Sequence, residues 1–306
     1  MLGIADIGIA LGENKISNAT KKEKFNINDE FIEQKIGFQN LCTTKNGTTK
    51  LCLKAFEHLS SKRKIKDIEC LLLVSQNQDV RIPHTSALLH KELGFSKDCL
   101  CFDIALGCSG YVIALANILS LMKSYNMQNG LLFTCDPYSK IIDENDKNTS
   151  LLFGDAASSS LISKDCLYSS LSFKFGIMSE ACEAIFCEKD SLEMDGRAVF
   201  NFAATTIPKH IEAFLQELNL SKDKIDKFLF HQGSKYIVDT LAKRLGLEPR
   251  KFDFLAGNYG NVVSSSLPLM LESLWEEKMD KILMCGFGTG GSYASSILTK
   301  EIQNAN

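Results

Sequence analysis

The feature that most constrains the fold of this chain is an internal repeat. Residues 67–119 and 226–275 follow one order: an apolar strand, a loop, a helix ending in K-x-L-G, a strand containing F-D, a glycine-containing turn and an apolar helix. A strand, a crossover helix and a parallel strand form the building unit of α/β proteins. Chance similarity between two such units is the alternative. The shared order favours a fold with two similar halves.

The repeat brings two polar residues to equivalent turns. Cys108 follows Gly94, the last residue of the first K-x-L-G, by 14 positions, and Asn261 follows Gly246 of the second by 15. Each residue therefore lies at a turn between a strand and a helix of its own half. Equivalent turns of a pseudo-symmetric fold can face each other across a cleft, so we expect Cys108 and Asn261 at one site.

Strand and helix signals alternate along the chain and predict helices that cover a sheet. Apolar runs typical of buried strands are CLLLV (70–74), LCFDIAL (100–106), LLFTC (131–135), FLFHQ (228–232) and ILMCGF (282–287). Amphipathic stretches cover 86–94, 111–125 and 235–246, and the polar stretch 140–150 predicts a surface loop. We predict an N-terminal half, 1–164, that carries Cys108, and a C-terminal half, 165–306, that carries Asn261.

Composition narrows the function classes. The 306 residues are 45% hydrophobic, enough for one large core or two fused half-cores. A net charge of -3 gives no reason to propose nucleic acid or a membrane as a partner. The N-terminal MLGIADIGIALGENK lacks a basic region and a cleavage site, and no apolar run approaches the ~20 residues that span a bilayer. We expect a soluble, cytoplasmic protein.

The cysteines point to the same compartment. There are eleven, without C-x-x-C spacing, which indicates free thiols in a reducing environment and neither a disulfide framework nor a zinc site. We interpret Cys99 and Cys101 as two positions on one face of a strand.

Cys108 is the candidate nucleophile. A strand leads into Gly107, Cys108, Ser109 and Gly110, and an apolar helix follows. Small neighbours permit a tight turn and the close approach of a substrate. A thiol at a helix N-terminus is expected to have a lowered pKa, and a thiolate attacks thioesters readily. An inert buried cysteine is the alternative; the Gly-Cys-Ser-Gly turn at a strand–helix junction favours catalysis.

His231 and Asn261 are the candidate partners of Cys108. His231 follows the apolar strand FLF, where open α/β sheets place their sites. Asn261 follows Gly260, which suggests a turn with positive φ. Taken alone, His231 is better explained as a core histidine and Asn261 as a helix cap. The repeat, which places them near Cys108, favours a function.

Two segments rich in small residues complete the pattern. GFGTGGS (286–292) follows a strand and precedes another, SYASSIL, so it is a loop suited to presenting backbone N–H groups and not a dinucleotide fingerprint. LLFGDAASSSLIS (151–163) reads as strand, turn and strand, and structural packing near a cleft explains it.

Taken in order, these segments resemble the β-ketoacyl-[acyl-carrier-protein] synthase III family of the thiolase superfamily. The resemblance covers nearly the whole chain, and His231 and Asn261 are separated by the 30 positions that this family pattern shows. The segments that carry it are DEFIEQKIGF (29–38), DIALGCSG (103–110), LLFGDAA (151–157), DGRAVFNFA (195–203), FHQGS (230–234), YGNVVSSSLP (259–268) and GFGTGGS (286–292).

The resemblance implies an α/β thiolase-like fold, in which two pseudo-symmetric halves form five layers, and a decarboxylative Claisen condensation. By it, Cys108 accepts an acyl group from a thioester. His231 and Asn261 then stabilise the enolate formed when malonyl-carrier protein loses CO2, and the enolate attacks the acyl-Cys108 to give a 3-oxoacyl product. The backbone N–H groups of Cys108 and Thr289 would hold the acyl oxyanion. Preorganised donors act where charge develops, so the proposed roles are physically consistent.

The chain departs from the family pattern around coenzyme A. Phe31 stands at the place of the family's Trp, Lys35 at that of the Arg four residues later, and Lys147 near the Arg that helps to hold adenine. Ser234 replaces the Asn of the family's HQ-x-Asn pattern. The first three changes affect coenzyme-A handling, and the last affects the support of His231.

The resemblance also implies partners. We expect a homodimer in which Ile82, before Pro83, reaches the partner's acyl pocket. Lys235, Lys243 and Arg244 lie at or near the family's basic positions for acyl-carrier protein, with an ordinary solvated helix face as the alternative. Acyl-coenzyme A is a possible substrate. We expect no metal and no bound cofactor, since the acyl and malonyl thioesters are substrates.

Two other functions stay open at this point. One is a synthase-III-like acyltransferase that passes the acyl group to an amine or hydroxyl. The other, from a different class, is a non-catalytic partner subunit of the same fold, which the intact Cys108, His231 and Asn261 argue against. The acyl chain length, the donor carrier and the choice between fatty-acid initiation and a specialised pathway do not follow from the sequence.

Overall fold

Strands and helices alternate as the sequence predicts. The computed structural model describes residues 1–188 and 191–301, apart from the side chain of residue 171. Its strands are β1 (Gly3–Leu11), β2 (Asn14–Ser17), β3 (Asn40–Thr43), β4 (Cys70–Val74), β5 (Leu100–Ile104), β6 (Asn129–Cys135), β7 (Ala156–Ser163), β8 (Tyr168–Ile177), β9 (Ile185–Cys187), β10 (Leu192–Met194), β11 (Lys227–Phe230), β12 (Lys281–Phe287) and β13 (Ser292–Lys300). Its α-helices are α1 (Lys22–Phe25), α2 (Thr48–Lys62), α3 (Thr85–Leu93), α4 (Gly110–Ser124), α5 (Lys147–Ser150), α6 (Gly196–Glu217), α7 (Lys235–Leu245) and α8 (Ser266–Ser273).

The main sheet consists of two arms that match strand for strand. Its order is β11-β12-β13-β8-β1-β7-β6-β4-β5, and the arms meet where β1 pairs with β8 through Gly3–Ser169 and Ile4–Tyr168. In the first arm β5, β4 and β6 are parallel, while β7 and β1 are antiparallel to their neighbours. The second arm repeats this with β11, β12, β13 and β8. Phe252 bridges Phe228 in parallel at the place equivalent to β5.

Helices cover the arms in five layers. Helices α2 and α3 pack on the outer face of the first arm, and α6, with α7 beside it, on that of the second. Between the arms lie α4 and α8, each of which contacts strands of both. Helix α4 buries eight of its fifteen residues because both arms pack against it, whereas α7 buries five of its eleven. The predicted five-layered α/β fold is confirmed.

The repeated K-x-L-G has a local structural cause. Gly94 ends α3 with φ 66° and Gly246 ends α7 with φ 65°, and both are left-handed caps. A side chain is strained in this conformation and glycine is not, so glycine closes both helices. Each cap turns the chain back toward the sheet, and the two halves therefore share this signature.

Several element boundaries differ from the predictions; β6, for example, begins at Asn129, two residues before its predicted start. β5 ends at Ile104 and β11 at Phe230, each two residues before the predicted end. Residues 151–153, predicted as a strand, form only one bridge, between Phe153 and Asn261. The backbone there is bonded to the Asn261 loop: the Asn261 N–H donates to Leu152 O at 2.8 Å, and the Gly154 N–H to Asn261 O at 2.9 Å. The segment thus supports a loop instead of extending the sheet.

The predicted division of the chain falls between β7 and β8. β7 ends at Ser163 and β8 begins at Tyr168, so the boundary after residue 164 lies in the turn between the arms. The two halves as independent units stay a prediction, and residues 302–306 of the second lie outside the described residues. Among the described residues, no helix combines the length and apolar character needed to cross a membrane.

Candidate active site

One cavity opens at the carboxyl ends of the parallel strands. Its volume is about 350 Å³, and its lining includes Cys108, His231, Asn261 and Thr289. Cys108 follows β5, His231 follows β11 and Thr289 follows β12, so three strand ends contribute to one site. Open α/β sheets place ligands at this edge. The structure thus brings together the three predicted catalytic residues and the predicted oxyanion donor.

Cys108 lies deep in this cavity, in the turn before α4. Its side chain is 4% exposed. The glycine loop of the second arm covers it so closely that a Cβ atom on Gly288 would stand 2.8 Å from the Cys108 sulfur. Glycine at position 288 is therefore a requirement of the close approach, and it leaves room for a substrate carbonyl at the sulfur.

The expected lowering of the Cys108 pKa is wrong. Burial raises the pKa of the thiol to about 12, against the opposing hydrogen bonds from the backbone and hydroxyl of Thr289, and the charge of Asp136 adds to the rise. Helix α4 begins at Gly110 with Ser109 as its cap, so Cys108 precedes the first turn. Loss of water around the sulfur is the largest cause of this shift, and with a pKa of about 12 Cys108 is a neutral thiol at neutral pH.

His231 is also neutral. Burial lowers the pKa of its ring to about 3. Its backbone N–H donates to Cys285 O at 2.9 Å, and its ring stands edge-on to Phe287, with centroids 5.7 Å apart at 89°. Its Nδ1 atom is buried without a hydrogen-bond partner among the described residues. Cys108 and His231 are thus a neutral pair and not a thiolate–imidazolium pair.

The segment after His231 is fixed by two side chains. Gln232 is fully buried; its amide donates to Phe230 O at 3.0 Å, and its carbonyl accepts the Leu255 N–H at 2.8 Å. Ser234 accepts the Ile237 N–H at 3.3 Å and so caps α7. The serine that departs from the family pattern therefore acts as a helix cap.

Asn261 lines the cavity and has its amide oxygen engaged in a hydrogen bond. Its Oδ1 accepts the Val263 N–H at 3.0 Å, in a turn in which Gly260 has φ 89°. Val263 itself has φ 51°, a strained value for a β-branched residue, and such strain is characteristic of functional turns. With Oδ1 occupied, the Nδ2 group remains as a hydrogen-bond donor to a ligand. Asn261 can therefore hold its own turn through Oδ1 and bind a ligand through Nδ2 at the same time.

Sequence reasoning missed a buried carboxyl group that links the arms. Asp136 follows β6, accepts the Gln76 N–H at 2.6 Å and accepts the hydroxyl of Ser264 in the turn after Asn261. Burial raises the pKa of Asp136 to about 6. The only signal in the sequence is an Asp directly after a buried strand, in TCDP. Asp136 positions the Asn261 turn against the first arm.

Tyr138 was missed as well. It is 3% exposed and shares an apolar cluster with Cys108. Its hydroxyl donates to Gln76 Oε1 at 2.7 Å, and its ring packs on Phe153 with centroids 5.2 Å apart. Tyr138 therefore fills the space on the inner side of Cys108.

The mouth of the cavity is aromatic and basic. Phe31 and Lys35, from a π-helical turn at Phe31–Ile36, line it together with Lys147. Lys147 Nζ stands 5.1 Å from the Phe31 ring centroid, and Lys35 Nζ stands 4.1 Å from that of Tyr236. Arg197, at the start of α6, also lines the mouth and was not predicted.

The remaining predicted residues lie outside this lining. Lys235 forms an ion pair with Asp239 on α7, while Lys243 and Arg244 are exposed further along that helix. Ile82 is 88% exposed, on the loop before α3. These residues lie outside the cavity. The roles predicted for them, binding of a carrier protein and contact with a second copy of the chain, stay predictions.

Comparison with known proteins identifies the family. One family model, described as 3-Oxoacyl-[acyl-carrier-protein (ACP)] synthase III, matches residues 102–179, and that of its C-terminal part matches residues 215–300. Beta-ketoacyl-[acyl-carrier-protein] synthase III of Streptococcus sanguinis is 30% identical over 93% of this chain and 94% of its own length. The chain belongs to the β-ketoacyl-[acyl-carrier-protein] synthase III family. It is an acyltransferase of the condensing type.

Solved structures agree with this assignment. The 3-oxoacyl-(acyl-carrier protein) synthase of Burkholderia xenovorans shares 30% identity, with a TM-score of 0.88 over 98% of this chain and 94% of that one. The synthase III of Thermus thermophilus shares 26% identity, with a TM-score of 0.91 over 98% and 99%. The thiolase-like fold is therefore confirmed, and these relatives favour neither of the alternative functions.

Proposed function

We propose that this chain transfers an acyl group from a thioester to Cys108 and condenses it with malonyl-carrier protein, releasing CO2 and a 3-oxoacyl thioester. One observation carries this proposal. A single cavity presents a thiol, a neutral imidazole and an amide donor whose oxygen is already engaged. The pathway is fatty-acid biosynthesis or a related specialised one. No cofactor takes part, since both thioesters are substrates.

In the first half-reaction, the Cys108 sulfur attacks the acyl thioester. The carbonyl oxygen becomes an oxyanion and accepts hydrogen bonds from the backbone N–H groups of Cys108 and Thr289. The carrier thiolate leaves and takes up the proton that Cys108 gives. Because burial keeps Cys108 protonated, this proton moves to the leaving carrier thiolate during the reaction, and His231, whose pKa burial lowers to about 3, is kept for its role as a neutral donor.

In the second half-reaction, malonyl-carrier protein enters the vacated cavity. Its thioester oxygen accepts hydrogen bonds from His231 and Asn261 Nδ2, CO2 leaves, and the enolate carbon attacks the acyl-Cys108 carbonyl. The new carbon–carbon bond forms as the sulfur of Cys108 departs. Two neutral donors hold the enolate charge without attracting the malonyl carboxylate, which favours its departure.

Intact-mass measurement with acyl thioesters tests the assignment. An acyl adduct on Cys108 supports catalysis and excludes a non-catalytic subunit. CO2 released from malonyl-carrier protein, together with a 3-oxoacyl product, supports condensation. Acyl transfer to an amine or hydroxyl without CO2 release would establish the alternative acyltransferase.

For the acyl donor, we propose a preference for carrier protein over coenzyme A. Lys147 already stands over the Phe31 ring, so an adenine stacked between them must first separate the pair. Phe31 also offers a smaller surface than Trp, and Lys147 cannot stack as a guanidinium plane does. Stacking on a base contributes about 1–3 kcal/mol in nucleic-acid sites.

The double variant Phe31→Trp, Lys147→Arg tests this preference. It should improve acylation by acyl-coenzyme A and leave acylation by acyl-carrier protein nearly unchanged. If wild type already uses both donors with the same kcat/KM, the preference does not exist, and the condensing mechanism is unaffected.

For carrier-protein binding, we propose the exposed end of α7. An acidic carrier would be steered to Lys243 and Arg244, so affinity should fall as salt rises. Reversing both to Glu should raise KM for malonyl-carrier protein severalfold and spare acylation by a small thioester. Lys64 and Lys66, an exposed basic pair before β4 in the first arm, give the matched control. Equal effects of both double reversals would reject the α7 surface.

We further propose a cytoplasmic homodimer. Support comes from the exposure of Ile82, at 88%, and from β5, whose outer edge has no partner strand among the described residues. An apolar side chain on an exposed loop and an open strand edge both suit a second copy. Sedimentation should give twice the chain mass, and Ile82→Asp should reduce acylation of Cys108.

A further inference from the structure

Three side chains that the proposed reaction does not use converge on the outer face of the first arm. A ring nitrogen of His90 and the sulfurs of Cys99 and Cys101 all lie within 4.8 Å of one another. All three residues are half-buried, and all eleven cysteines of the chain are free thiols. The absence of C-x-x-C spacing argued against a metal site, but packing assembles a ligand set that spacing does not reveal.

Asp103 places His90 above Cys101. Its carboxylate accepts the N–H groups of Thr85 at 2.7 Å and Ser86 at 2.9 Å, and so fixes the start of α3 beside β5. From there α3 runs back along the strand for five residues to His90, a rise of about 7.5 Å. Two strand residues from Asp103 to Cys101 cover about 6.6 Å. The two side chains therefore meet.

The loop after α3 orients the ring. Ser96 O accepts His90 Nε2–H at 2.8 Å and also the Cys99 N–H at 3.1 Å. A carbonyl can only accept, so His90 Nε2 carries the proton and Nδ1 keeps its lone pair. A histidine that ligates a metal usually donates its other ring N–H to such a carbonyl.

We propose that His90, Cys99 and Cys101 bind one thiophilic divalent cation, with Zn²⁺ as the representative ion and water as the fourth ligand. The Cys99 and Cys101 sulfurs stand 3.8 Å apart. Two thiolates bound tetrahedrally at the usual Zn–S length are separated by about 3.8 Å. The corresponding S–N separation is about 3.6 Å, and the His90 nitrogen and both sulfurs already lie within 4.8 Å of one another.

The chemistry of the pair agrees with this geometry. Thiolate is the form that binds metal. Two sulfurs and an imidazole favour zinc over calcium or magnesium, which prefer oxygen ligands.

The proposal is independent of the condensing function, because the cluster lies on the α3 side of β5 and not in the cavity. Zn²⁺ binding is best measured in the Cys108→Ser background, which removes the other thiol near a histidine. Competition with a chromophoric chelator should give one Zn²⁺ per chain. Co²⁺ should give a sulfur-to-cobalt charge-transfer band.

Adding Cys99→Ser and Cys101→Ser should abolish the band, and His90→Asn should weaken Zn²⁺ binding at least ~10-fold while both thiols remain. Cys182→Ser with Cys187→Ser, which removes two exposed thiols, is the matched control and should change nothing. Equal Zn²⁺ affinity in cluster and control variants would overturn the proposal. So would a Cys99–Cys101 disulfide in fresh protein together with failure of the reduced protein to bind Zn²⁺.

Discussion

The two arms of the sheet have the same topology and supply different chemistry at the same strand ends. After β4 the first arm has Ser75, while after β11, its equivalent, the second arm has His231. The turn after β5 carries the proposed nucleophile Cys108, and the corresponding turn after Phe252 carries the proposed donor Asn261. A repeated scaffold thus positions two sets of side chains, and each set has diverged.

The loops that follow β6 and β12 differ in the same way. The first arm has Asp136, a buried carboxyl group that accepts hydrogen bonds from both arms. The second has Gly288, where a Cβ atom would stand 2.8 Å from the Cys108 sulfur. In the proposed mechanism the first arm therefore provides the sulfur that forms the covalent bond, and the second provides the neutral hydrogen-bond donors and the glycine that faces this sulfur. Because the two sets of side chains lie on different arms, acylation and decarboxylation should be separable by mutation.

The largest expected effect is on the first arm. Cys108→Ser should reduce acyl-enzyme formation at least ~10⁴-fold, because a serine hydroxyl without a strong base is a far poorer nucleophile. Intact mass after incubation with an acyl thioester measures it. Cys182→Ser, at an exposed cysteine, should acylate like wild type. Acyl label retained by the Cys108→Ser protein would reject the assignment.

The second prediction concerns the second arm. His231→Ala and Asn261→Ala should each lower CO2 release from malonyl-carrier protein ~10²–10³-fold and leave Cys108 acylation largely intact. Asn261→Asp sharpens the test: its carboxylate can still accept the Val263 N–H, but the Nδ2 donor is gone. A variant that decarboxylates normally but cannot be acylated would reverse the proposed division between the arms.

The third prediction concerns the contact between the arms. In Gly288→Ala the new Cβ would stand 2.8 Å from the Cys108 sulfur, so the thiol must shift and acylation should fall about 10²-fold. Gly290→Ala is the matched control, since a Cβ there meets no atom within 4 Å although its φ is also positive, at 73°. Equal acylation rates in both variants would show that the close approach is unimportant.

The smallest expected effect is on stability. The pKa of His231 falls from 6.5 to about 3 on folding, so the unfolded chain binds a proton that the folded one does not. The stability that neutral His231 contributes is present above pH 6.5 and is lost as the pH falls toward 3. The free energy of unfolding in urea should be measured for wild type and His231→Gln at about pH 7 and about pH 5. The difference between the two proteins should shift by about 2 kcal/mol against wild type between these two pH values.

The same comparison at His210 adds a second case, because burial lowers its pKa to about 4. His210 is also buried against the second arm, where its Nε2 lies 3.0 Å from the Ser295 hydroxyl. His210→Gln should show the same direction of change. A difference in free energy of unfolding that stays constant with pH for His231→Gln would mean that the ring is solvated in the folded protein.

Local patterns predicted the elements well. Apolar runs place β4 within 70–74 and β12 within one residue of its observed start, because buried parallel strands are continuous apolar segments. The strand predicted at 151–153 fails, since its apolar residues pack beside the Asn261 loop. A short apolar run does not reveal which neighbour it will contact.

The sequence by itself determined the repeated βαβ units, the glycine caps at Gly94 and Gly246 and the identity of the residues at the strand ends, because these depend on local conformation and periodicity. Only the tertiary structure decided the ionisation of Cys108 and His231, since both pKa values depend on how completely water is excluded by residues distant in the chain. It also decided the meeting of His90 with Cys99 and Cys101, because the packing of α3 on β5 brings these ligands together.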